Sequence, residues 1–233
     1  MNRFINYEAD ASRAFDVVAS GGVAIIPGDL GYAVIGSTKA AMDLIHRTKK
    51  RVPEKLHGFT GNAKIEGEIH VLDDQAGDFV RAVTEDFHLP LGVVAPARLD
   101  HSLMRRVDPE LLPLATRDGT LNIVLNGGPL LESLARLCDT ERTPIFGSSA
   151  NISTKGVKAR VADIEPEIIG MADLVIDHGV CRWYEGGRSS TIIDMRDYSV
   201  IRPGVSYGQI ADIALRFFGI TLPVDQSIVW PGA

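Results

Sequence analysis

Short apolar runs of strand length alternate along this chain with stretches whose apolar residues recur at helical spacing. That alternation limits the fold more than any single motif does. "VAIIP", "YAVIGS", "LGVVAP", "DGTLNIVL", "TPIF" and "DLVID" read as strands, with a last pair in "SSTIIDM" and "YSVIRPG". Between them, three stripes predict helices: Ala11, Phe15 and Val18; Ala41, Leu44, Ile45 and Thr48; and Ala76, Phe79, Val80, Val83 and Phe87. Thr38 is a plausible N-cap for the second stripe, and "GDLG" a turn between the first two strands. A leucine-rich segment from Pro129, a stretch from Val161 to Met171, and "QIADIALRFFG" add further helices. Strands and helices that alternate without repeats or linkers imply an α/β domain built on a mixed sheet.

At 233 residues the expectation is one domain, and 45% hydrophobic with 23% charged residues is an ordinary globular composition. The longest apolar runs are too short to cross a bilayer. The opening "MNRFINYEADASRAF" has no apolar h-region and carries acids early, so cytoplasmic residence is the expectation. A net charge of −6 argues against a surface that coats nucleic acid, while leaving room for a local basic pocket. Cys138 and Cys181 lack the spacing of a zinc site or a disulfide framework, and Cys138 falls on the apolar face of "PLLESLARLC", as core. The histidines form no HxxxH or HxH pair, so no protein-held metal is expected. Neither phosphate-loop motif is present, and "GSSAN" lacks the G-x-S-x-G spacing of a hydrolase elbow.

Two stretches remain. "TPIFGSSANIST" follows a buried run with small hydroxyl and amide residues, which either form a turn that caps a helix or let a ligand approach the backbone where a helix N-terminus favours an anion. "TKKRVPEK" places Lys49, Arg51 and Lys55 within seven residues of an acidic chain, as a solvated face or as a cluster suited to a triphosphate or carboxylate.

"GGVAIIPGDLGYAV", "IHRTKKRVPEK", "GSSANIS", "SSTIID" and "IRPG", in that order from about residue 12 to 205, resemble the YrdC-like threonylcarbamoyl-adenylate synthases. The resemblance implies a single α/β domain over residues 1–205, a twisted sheet with flanking helices around a deep basic cavity, and residues 206–233 as a C-terminal extension packed on it. It implies that bicarbonate and an amino acid are joined and adenylated with ATP, its Mg²⁺ held mainly by the phosphates, or that a carbamoyl donor is used instead. By position, Lys49, Arg51 and Lys55 match the basic cluster at the phosphates and acyl group. Ser149, Asn151, Ser190, Thr191 and Arg202 match nucleotide-binding positions, and Asp29 and Tyr32 the substrate-binding hairpin.

The match also breaks at informative places. Where the family reads "PTDTVYGL", this chain has Gly28 and Leu30 in place of both threonines, and the arginine of the family's "GVRxP" strand is missing from "GTLNIVLNGGP". The expected substrate is therefore something other than L-threonine. The alternative is a module that binds a nucleotide or an RNA end without turnover.

Overall fold

Gly28 and Gly31 face each other across a two-residue turn, Asp29–Leu30, that folds β1 (Ala24–Gly28) and β2 (Gly31–Gly36) into an antiparallel hairpin. The computed structural model describes residues 4–52 and 55–225; Pro53 and Glu54 of the basic stretch and residues 226–233 of the expected extension lie outside them. Helix α1 (Tyr7–Ala19) precedes the hairpin, with the Asn6 side chain accepting from the Ala9 N–H. After it come α2 (Lys39–Thr48), β3 (Gly58–Thr60), α3 (Ala63–Ile69), α4 (Asp74–Arg81), β4 (Leu91–Pro96), α5 (Leu112–Ala115), β5 (Thr116–Arg117) and β6 (Thr120–Leu125). The chain continues through α6 (Pro129–Thr140), β7 (Phe146–Ser149), α7 (Pro166–Gly170), β8 (Leu174–Val175), β9 (Ile192–Asp194), β10 (Ser199–Arg202) and α8 (Tyr207–Phe218).

The strands join one mixed sheet in the order β10-β9-β4-β6-β3-β7-β2-β1-β8, with β5 beside β6. The pairs β1–β8, β3–β6 and β4–β9 are parallel and the rest antiparallel. Side-chain alternation sends Ile25 to one core and Ala24 and Ile26 to the other. Helices α1 and α6 cover the second of these faces, where Ala14, Val18, Leu134 and the buried Cys138 pack. Most other helices pack on the first face, around Phe59, Phe79, Ile123 and Phe146. Phe59 and Phe146 meet edge to face at 5.2 Å, worth about 0.5–1.5 kcal/mol beyond their burial. The segment after residue 205 belongs to this core as far as residue 225: Ile210, Ile213 and Leu222 are buried, and Phe218 packs edge-on against Phe79.

On the α1/α6 face the middle strands carry little bulk. Gly58 of β3 pairs with Gly147 of β7, and Gly92 lies opposite Val124 between β4 and β6. A Cβ at Gly147 would lie 2.8 Å from both Ile35 Cγ2 and the Val34 carbonyl oxygen, so this position admits no side chain without movement. The row of glycines leaves a trough beyond the edge of α6.

Three expectations are corrected here. The small residues after Phe146 do not leave the strand; Gly147, Ser148 and Ser149 are β7 itself, paired with β2. No α-helix follows them. The Ser149 and Asn151 carbonyls that would begin one accept hydrogen bonds from Lys49 Nζ instead, and the Ser153 N–H donates back to the Lys49 carbonyl at 2.9 Å. The stretch from Val161 to Met171 is not one helix but a 3₁₀ turn, Val161–Asp163, and the single turn α7.

Two expected stripes each include one residue that is exposed, Leu44 and Phe87. In α2 the buried side chains are Ala41, Met42 and Ile45, while Leu44 is exposed. The face is rotated toward Met42 and Lys49, which carries Lys49 inward. In α4 the buried stripe ends at Val83, because residues 82–86 form a π turn whose extra residue swings Phe87 outward to pack on Phe217.

Candidate active site

Lys49, at the C-cap of α2, is 1% exposed, and its ammonium donates to the Ser149 carbonyl and, at 2.6 Å, to the Asn151 carbonyl. Burial, and then the nearby Arg51 charge, bring its pKa down to about 7. Arg51 donates through Nε to the Lys55 carbonyl at 2.9 Å and through Nη2 to the Leu56 carbonyl; burial, then Arg202, lower its pKa to about 10. Arg202, at the end of β10, holds the Ser190 carbonyl at 3.0 Å and the Ser190 hydroxyl at 3.1 Å, and burial lowers its pKa. None of these cations forms an ion pair among the described residues. Arg51 raises the energy of the Lys49 charge and Arg202 that of Arg51, so an anion is the natural fourth member of this group.

All three border a hollow of about 600 Å³, which Lys55, Ser149 and Asn151 also line. A second lobe of about 190 Å³ opens from it, and Arg51, Asn122, Ser149, Ile192 and Arg202 belong to both walls. The combined hollow is within the range of small-molecule sites. Buried polar atoms without hydrogen-bond partners among the described residues include Asn122 Oδ1, Asn151 Oδ1 and Ser153 Oγ, all of residues lining the larger lobe. Such atoms are costly unless something else bonds them.

The expected site residues separate on inspection. Lys49, Arg51, Lys55, Ser149, Asn151 and Arg202 surround the larger lobe, and Ser190 and Tyr32 border the smaller one. The Tyr32 hydroxyl nevertheless lies 2.8 Å from Asp177 and accepts the His178 N–H; burial first, then Asp177, push its pKa up to about 12. Thr191 is fully buried, its hydroxyl donating to the Val205 carbonyl and accepting from the Gly204 N–H, so it shapes the turn after β10 and does not line either lobe. Asp29 faces a separate hollow of about 440 Å³ and reaches Arg182 at 3.4 Å.

Asn122 is the residue that sequence reasoning missed. In "TLNIVL" the buried face is Leu121, Ile123 and Leu125, which leaves Asn122 and Val124 on the other face of a central strand. A polar residue in such a place was the available signal. Its carboxamide lies between Gly58 and Gly92, where any side chain would crowd it.

A family model named for Sua5, YciO and YrdC, and described as telomere recombination, matches residues 16–204. The chain belongs to the Sua5/YciO/YrdC family. No curated protein matches it closely enough to report. Among solved structures, a hypothetical protein of Streptococcus mutans, smu.1377c, is similar at 20% identity and a TM-score of 0.72, covering 90% of this chain and 92% of that one. P. abyssi Sua5 in complex with L-threonine gives 19% identity and a TM-score of 0.69, covering 95% of this chain and 61% of the longer Sua5 chain. Full-length HypF in a phosphate- and nucleotide-bound form gives 15% identity and a TM-score of 0.60, over 89% of this chain and 25% of that one. At these identities the likeness to the solved structures is one of fold, and the α/β architecture with its mixed sheet is the one they share.

Proposed function

We propose that this member of the Sua5/YciO/YrdC family forms or uses a carbamoyl-type acyl adenylate, with ATP as the nucleotide substrate. The observation that carries the reading is the convergence of Lys49, Arg51 and Arg202, without carboxylate partners among the described residues, on one hollow that the unpartnered Asn122 Oδ1, Asn151 Oδ1 and Ser153 Oγ also border. Attack of a carbamate oxygen on an α-phosphorus brings two anions together, so fixed cations and polar donors contribute more than a strong base. Holding both partners in one recess supplies orientation and keeps a labile carbamate from water.

The donor set also fits a metal carried by the nucleotide. Asp194, the carboxylate of β9 on this wall, is clamped by Arg196 at 2.7 Å, and no group of three His, Cys, Asp or Glu suited to a metal occurs among the described residues. Mg²⁺ would then be held chiefly by phosphate oxygens. The bound Sua5 and HypF structures named above support a nucleotide and a small acid as ligands of this fold.

The test is release of pyrophosphate from ATP, surveyed across amino acids with bicarbonate and, in a separate arm without added bicarbonate, with carbamoyl phosphate. Release with one of them is the expected result. AMP binding without any release would leave the reading of a binding module that lacks turnover.

A further inference from the structure

Glu165 lines none of the hollows described above, yet it bears on the largest of them. It precedes Pro166, which favours extended backbone, and with ψ at 140° it forms the N-cap of the single turn α7 without using its side chain there. The carboxylate reaches the bend after β7 instead. Its Oε2 accepts the Ile152 N–H at 3.3 Å, and its Oε1 pairs with Lys158 at 2.9 Å. The Ile152 N–H and the Asn151 carbonyl belong to one planar peptide group, and that carbonyl accepts from Lys49 Nζ at 2.6 Å. A carboxylate therefore stands at one end of a single peptide dipole and an ammonium at the other, and each polarises the group in the sense that favours both.

Lys49 needs such support. Burial first, and then Arg51, disfavour its charge; Lys55 adds to this from the same loop, and Glu165 pulls the other way. His57, just before β3, feels the Lys49 charge in turn. Burial works against the Glu165 carboxylate as well, but the Lys158 ammonium and the Ile152 N–H outweigh it and hold its pKa below the usual value. Glu165 is thus an anion throughout the range in which Lys49 titrates.

We infer that Glu165 is a positioning residue for the candidate active site, acting through the Asn151–Ile152 peptide to keep Lys49 cationic and its bend in place. With two of its N–H groups spent on carbonyls, the Lys49 ammonium has a third for a ligand. The inference rests on the proposed function only in naming that ligand as a phosphate-bearing nucleotide, and the link from Glu165 to Lys49 is testable without one.

The experiment is an NMR pH titration of the full chain labelled with carbon-13 at the lysine ε carbons, the Lys49 signal being identified by its loss in Lys49→Met. Its wild-type midpoint is expected at about 7. Glu165→Gln keeps an acceptor for the Ile152 N–H but removes the charge, and should lower that midpoint by about 0.5–1 pH unit. Lys158→Met leaves the Glu165 charge uncompensated and should raise it. Pyrophosphate binding, measured by calorimetry on the same proteins, should follow: near pH 8 Glu165→Gln should bind about 3- to 10-fold more weakly than wild type, and near pH 5.5 equally well. An unmoved Lys49 midpoint in Glu165→Gln overturns the inference, as does binding weakened by the same factor at every pH, which would make the carboxylate structural only. If Glu165→Gln fails to fold, Lys158→Met decides, and a midpoint that falls or stays in place overturns the inference. Shifted midpoints with no pyrophosphate binding by wild type at any pH uphold the role of Glu165 and overturn the nucleotide reading of the hollow.

Discussion

Lys49 Nζ donates to the Asn151 carbonyl at 2.6 Å, joining the end of α2 to the bend after β7 across 102 residues of sequence. The same ammonium serves the Ser149 carbonyl, so one side chain shapes the bend and faces the hollow. Lys49→Met should therefore do two things. Leaving two carbonyls without their donor should destabilise the fold by about 1–3 kcal/mol, and nucleotide binding should fall with it. Chemical denaturation and nucleotide titration on the same variant check both.

Lys55 is exposed at the rim of the hollow and should behave differently. Lys55→Ala should leave the melting temperature unchanged and weaken nucleotide binding by about 0.2–1 kcal/mol, an effect that shrinks as salt is added. Calorimetry at two ionic strengths is the measurement. A large loss of stability would mean that this side chain supports the fold and not a ligand.

Lys49, Arg51 and Arg202, which have no carboxylate partner among the described residues, should be relieved by a bound polyanion. Pyrophosphate at a hundred times its dissociation constant would add about 2.7 kcal/mol. For a chain of this size that corresponds to a rise of about 5–10 °C in melting temperature. A thermal scan reads it directly, and Arg202→Ala should remove most of the rise.

The Lys49 pKa of about 7 in the folded state lies below the ordinary lysine value of 10.5. Between those two values the unfolded chain holds a proton that the folded chain has released, so this group's contribution to stability rises as pH climbs from about 7 toward 10.5. Polyanion binding should move the opposite way, weakening above pH 7 as the ammonium is lost. His57 is held near a pKa of 3, by burial and then by Arg51, against 6.5 ordinarily; its contribution is lost as pH falls from 6.5 toward 3. Denaturation and binding profiles against pH, with Lys49→Met as the reference for the alkaline limb, test both signs.

Gly147→Ala should destabilise the protein by about 1–3 kcal/mol, since the new methyl meets Ile35 and the Val34 backbone at 2.8 Å. Urea denaturation measures the loss.

Much of the fold was legible because its elements obey simple periods. Val34 and Ile35 sit in β2 as the apolar run implied, Thr38 caps α2 through its hydroxyl, and the turn at Gly28–Gly31 lies where "GDLG" placed it. What escaped notice were elements too short or too polar to show a period. Gly58–Thr60 is a three-residue strand in the middle of the sheet, and Ser148 and Ser149 are strand residues that composition assigns to a loop. Their strand state comes from pairing with β2 and β3, which is tertiary and leaves no local trace. For the site, charge clustering singled out Lys49 and Arg51. The positions of Asn122 and Val124 across from them needed the register of β4 against β6.

The hollow has no local precursor. Its walls come from residues near 50, 122, 150, 190 and 202, and the Lys49 ammonium grips the bend only once β7 has slotted between β2 and β3. Contacts of such long sequence separation form late and slowly. During refolding, a fluorescent nucleotide should therefore gain its signal no earlier than the last spectroscopic phase, and a fragment cut between α6 and β7 should capture none of it.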